Sequence, residues 1–83
     1  MAEAGDVVVC HALECRPHML VVGADAESLR VVLLADLPRA LLQRCCRGDG
    51  TAVAGEARQV EEWSRYRVPR EDVEPASGVQ TRQ

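Results

Sequence analysis

The stretch MLVVGADAESLRVVLLA (residues 19–35) decides how this 83-residue chain reads. Met19–Gly23 is apolar on both sides, as a strand covered on both faces must be. Gly23 can take a bend, and Ala24–Ser28 supplies turn chemistry through Asp25 and Ser28. Leu29–Ala35 then alternates, with Leu29, Val31, Leu33 and Ala35 on one side and Arg30, Val32 and Leu34 on the other. That is strand, turn, strand. Upstream, Val7–Glu14 also has period two, placing Val7, Val9, His11 and Leu13 opposite Val8, Cys10, Ala12 and Glu14. Pro17 ends it, since it has no N–H for a ladder. Three strands joined by short links predict an antiparallel meander.

Downstream, DLPRALLQRCCRG (residues 36–48) changes period. Asp36 can cap a helix and Pro38 fits its first turn. Leu37, Leu41, Leu42 and Cys45 share a helical face, with Arg39, Gln43, Arg44 and Arg47 away from it. Gly48 is placed as a left-handed stop. Thr51–Val68 reads less cleanly. Val53 and Tyr66-Arg67-Val68 have strand character, whereas Glu56–Glu62 contains helix formers. Two strands around a polar loop is the expectation preferred here. Pro69–Gln83 is polar and Pro-containing, and is expected to be a disordered tail. The expected organisation is one domain over residues 1–70 and a flexible tail over 71–83.

Composition narrows the classes. The chain lacks Phe, Ile, Lys and Asn, so a core must come from Val, Leu, Ala, Cys and Met with Trp63 and Tyr66. The net charge is −3 but unevenly spread. Up to Glu27 there are five acids against Arg16, while Ser28–Arg70 holds eight arginines against five acids. The middle of the chain is therefore the basic part. No stretch approaches the ~20 apolar residues of a membrane helix. Glu3 and Asp6 stand where a signal peptide would be positive, so a cytoplasmic location without a membrane is expected.

Candidate chemistry is sparse. Cys15 and His18 have a usable zinc-ligand spacing, but Cys10 and Cys15 form no second knuckle, and adjacent Cys45 and Cys46 leave a helix on different sides. Free cysteines are more simply small core residues. Neither a metal, a cofactor nor a catalytic residue is expected. Gly48-Asp49-Gly50 lacks the phosphate-loop pattern. The arginines remain. Arg39, Arg44 and Arg47 lie on or beside the helix and Arg65 and Arg67 in the last strand region. With Trp63 or Tyr66 as stacking platforms they form a candidate nucleic-acid surface. The alternative is a protein partner held through Leu37 and Leu41.

Three strands, a short helix and two more strands is the order of an OB-like barrel. From about Asp6 to Arg70 the chain resembles the bacterial translation initiation factor 1 family, through Leu13-Glu14 before Pro17, the spacing on to Gly48-Asp49, Val53, and Arg65-Tyr66-Arg67-Val68. The resemblance implies a mainly β, five-stranded OB-like fold and a non-enzymatic module that binds RNA or associates with the ribosome. In one respect the chain departs from that pattern. Where the family carries a basic RNA-contacting segment, Leu37–Cys46 is mostly apolar, with only Arg39 and Arg44 in that role.

Overall fold

A computed structural model describes residues 2–60, 62–63 and 66–76. Five strands form one antiparallel sheet: β1 (Val7–Cys10), β2 (His18–Ala24), β3 (Ser28–Leu33), β4 (Tyr66–Pro69) and β5 (Val73–Pro75). Their spatial order is β4-β3-β2-β1-β5. The meander is as expected, and its ends fall where chemistry ends them. β1 stops at Cys10 rather than Glu14, leaving Leu13 exposed in the link to β2. β3 stops at Leu33, where Leu34–Asp36 winds into a short 3-10 turn.

Helix α1 (Arg39–Cys46) begins after Pro38, so Asp36 belongs to the 3-10 turn and does not cap it. Its end is as expected. Gly48 has φ +89°. The Gly48 N–H donates to Cys45 O at 3.1 Å and the Asp49 N–H to Arg44 O at 3.0 Å. This is the paired closure of a Schellman motif.

Two expectations are overturned. Thr51–Val68 is not two strands around a loop: a second helix, α2 (Gly50–Arg58), occupies its first half, and among the described residues of that stretch only Tyr66 onward is strand. The reason is packing. Val53, Ala54 and Ala57 share one helical face and are fully buried against Leu20, Val22 and Val32. Small side chains bring the helix close to the sheet, and that contact outweighs the weak propensity of Gly50 and Gly55. Nor does the domain end at residue 70. β5 lies within the stretch expected to be tail, pairing Val8 with Pro75, Val9 with Glu74 and Cys10 with Val73. It joins through backbone hydrogen bonds that satisfy the free edge of β1, a contribution side-chain composition does not report. Pro75 is tolerated because β5 is itself an edge. The expected tail beyond Ala76 lies outside the described residues.

The sheet is buried on both faces. Leu20, Val22 and Val32 point to the helices, joined by Leu37 and flanked by Leu41, Cys45 and Trp63. Val8, Cys10, Met19, Val21, Leu29 and Val31 form the second cluster. Val68 of one edge strand and Val73 of the other both pack on it, so the sheet curls around this cluster. It does not close, because β4 and β5 remain its edges.

Two glycines of α2 test this packing in opposite directions. A Cβ at Gly50 would strike the carbonyl oxygen of Gly5, while one at Gly55 would meet nothing within 4 Å. Gly50→Ala should therefore destabilise the fold by about 1–3 kcal/mol, and Gly55→Ala should stabilise it by about 0.5–1 kcal/mol. Urea unfolding of the two variants checks both signs.

Candidate anion-binding cleft

The arginines foreseen on α1 do not act as a group. Arg44 is spent internally: its Nε donates to Asp49 Oδ2 at 3.1 Å and its Nη1 meets Glu56 Oε2 at 2.8 Å, tying the end of α1 to α2. Arg39 and Arg47, near opposite ends of α1, are exposed. Arg65 lies outside the described residues. Trp63 is half-buried against the helix-side cluster. Tyr66 is exposed at 42%. It is paired with Val31, so it belongs to the sheet face opposite Arg67. The apolar face of α1 is also used up. Leu37 is buried and Leu41 packs on the same cluster, so the partner surface expected there is covered by the protein's own sheet.

A different set of arginines does come together. Arg67 of β4 pairs directly with Arg30 of β3. Cross-strand neighbours lie on one face with Cβ atoms ~5 Å apart, where like charges repel. Arg58, at the end of α2, reaches the same place, and the three line one open cleft of about 540 Å³ with Gly23, Asp25 and Ser28. Among the described residues every ion pair belongs to Arg44, so none of these three guanidiniums is neutralised by a carboxylate contact.

The backbone positions Arg58. β2 carries a bulge between Val21 and Gly23, so Val22 has no register partner on β3. Its carbonyl instead accepts a hydrogen bond from Arg58 Nε at 3.0 Å. Arg58 is thereby held by one nitrogen, with its two terminal nitrogens left over. Bulges of this kind re-aim groups beside binding sites.

Asp25 is the acidic member of the cleft wall, and its carboxylate is already occupied. It accepts from the Ser28 N–H at 2.8 Å, the Glu27 N–H at 3.0 Å and Ser28 Oγ at 3.2 Å. These bonds, the Ser28 N–H first, hold its pKa below the ordinary aspartate value. Arg70 staples the turn from behind, donating from Nε to Asp25 O at 2.7 Å and from Nη1 to Ala2 O at 3.1 Å. A second groove, lined partly by Ala2, Val8, Leu29 and Val73, contains this Arg70, whose donors are thus partly spent.

The cysteines form no constellation. Cys10 is buried among apolar residues. Burial, followed by neighbouring Cys46, pushes the Cys45 thiol up, away from the thiolate that nucleophilic chemistry needs. Among the described residues no three His, Cys, Asp or Glu side chains group as metal ligands.

Sequence reading overlooked Arg30 and Arg58. Arg30 is the one charge interrupting an apolar strand, and Arg58 follows an Ala-rich helical face, but their meeting depends on the packing of α2 against β2.

Two measurements probe this wall. Removing one of two repelling arginines, as in Arg67→Gln, should leave the unfolding midpoint at low salt unchanged or higher. Asp25→Asn should lower stability at neutral pH. A depressed carboxylate pKa contributes stability that is present at neutral pH and lost as pH falls through the folded value. The gap between Asp25→Asn and the parent should therefore narrow below about pH 4 in acid-unfolding curves. No protein-family model matches the chain, and neither a curated protein nor a solved structure does, so geometry alone carries the functional reading.

Proposed function

We propose that this chain is a non-enzymatic module that binds RNA through the phosphate backbone at the Arg30, Arg58 and Arg67 cleft. One observation carries the reading: a directly opposed arginine pair, joined by a third arginine anchored on a bulge carbonyl, with no carboxylate contact on any of them. Like charges placed directly across neighbouring strands cost stability, and a bound anion making charge-assisted hydrogen bonds would offset that cost. The net charge of −3 does not oppose it, because charge acts over about a Debye length and the cleft is locally basic. With Tyr66 on the opposite face, contact through phosphates is favoured over base stacking. The resemblance to the translation initiation factor 1 family makes ribosomal RNA the first target to test.

The strand after the helical insert returns to β3 and the last strand lies on β1. That order favours a small SH3-like roll over the OB-like Greek-key barrel. Either architecture serves many functions, so the cleft carries the argument.

Anisotropy titration with labelled single-stranded RNA tests the proposal. Binding should weaken about tenfold or more between 50 and 200 mM salt, as expected when roughly three phosphate contacts release counterions. The double variant Arg30→Glu, Arg67→Glu should lose it, while Arg39→Gln with Arg47→Gln should keep it. Undiminished affinity in the first double variant would sink the reading.

A further inference from the structure

We infer that the Arg30–Arg58–Arg67 cleft recognises a terminal phosphate, a phosphomonoester such as an RNA 5′ end, in preference to an internal phosphodiester. The inference rests on the RNA reading above and adds the class of phosphate.

Charge is the first argument. Three guanidiniums and the single Asp25 carboxylate line the cleft, leaving two positive charges uncompensated. An internal phosphodiester carries one negative charge. A phosphomonoester carries about −1.5 to −2 at neutral pH and presents three strong acceptor oxygens. The dianion matches the excess, whereas the diester leaves one cation unanswered beside another.

Donor geometry is the second. Arg30 and Arg67 approach from neighbouring strands and Arg58 from the helix side, so the donors reach the cleft from three elements. Each guanidinium is a planar fork suited to bidentate contact with phosphate oxygens. Arg58 has only its Nη atoms to offer, since Nε is held by Val22 O. Three forks around one group suit a tetrahedral phosphate with three free oxygens better than a diester, which has two. Beside them, Gly23 carries no side chain that would narrow the cleft.

The third argument concerns the ligand-free protein. Asp25 lines the same cleft and is attracted by Arg67, but its oxygens accept from Ser28 and Glu27 and make no ion-pair contact with an arginine among the described residues. Asp25 thus offsets one of the three charges without an ion-pair contact, and the remaining excess is left where a ligand anion would fit.

The test compares two 3′-labelled RNAs of one sequence, roughly ten nucleotides long, one with a 5′-phosphate and one with a 5′-hydroxyl. The 5′-phosphorylated RNA should bind the full chain about tenfold tighter, the scale of one added charge-assisted contact. Arg67→Gln should abolish the preference while its thermal midpoint stays at or above the parent's, which excludes unfolding as the cause. Equal, salt-sensitive binding of both RNAs would overturn the terminal-phosphate inference and leave the RNA reading standing. If neither RNA binds, the RNA reading falls. Inorganic phosphate then decides the cleft: protection against thermal unfolding relative to chloride at equal ionic strength, lost in Arg30→Gln with Arg67→Gln, would keep a phosphomonoester site of non-RNA origin. No protection would overturn that as well.

Discussion

The fold depends on one strand being covered on both faces. Met19, Leu20, Val21 and Val22 of β2 are all buried, and alternate residues enter different clusters. A strand of that kind needs a layer on each side. On one side the layer is the helical insert between β3 and β4, whose Val53, Ala54 and Ala57 rest on Leu20 and Val22. On the other side no separate layer exists among the described residues, and the sheet supplies its own cover by curling until Val68 and Val73 meet the second cluster. A short chain thus obtains two small apolar clusters from a single sheet.

That solution has a local consequence at Val22. The bulge lets β2 turn with the curling sheet and leaves the Val22 carbonyl without a ladder partner. Arg58 takes it, and in doing so stands beside the Arg30–Arg67 pair. The same irregularity that bends the strand therefore orients one wall of the cleft. Among the described residues the cleft arginines have no ion-pair partner, in contrast with Arg44, whose two carboxylate partners bind the helices together. Arginines thus serve different ends here: Arg44 ties the helices together, Arg58 ties α2 to β2, and Arg30 and Arg67 face each other across neighbouring strands.

What was legible in the sequence was legible for local reasons. Period-two alternation located β1 and β3 and assigned Val8 with Cys10, and Leu29 with Val31, to common faces, while an unbroken apolar run located β2. Gly48 fixed the end of α1 because the left-handed φ it supplies acts within a residue or two, whereas the start fell later than the expected Asp36 cap, after Pro38. α2 was harder, since its buried face consists of Val53 and two alanines, which add little to a hydrophobic pattern. β5 was hidden further: three residues, Val73, Glu74 and Pro75, join the sheet through backbone groups that every sequence possesses.

By itself, then, the sequence determined the meander, the turn at Asp25, the end of α1 and the basic character of the middle of the chain. Each rests on neighbours a few positions apart. Only the tertiary structure decided that β4 lies against β3, that β5 lies against β1, and that Leu37 and Leu41 face inward. It also decided which arginines meet. Arg30 and Arg67 are 37 positions apart and become neighbours through strand register alone, while Arg58 joins them because α2 packs on β2. Register and packing are set by the burial of whole faces, so charges distant along the chain are brought together by apolar residues that carry no chemistry of their own.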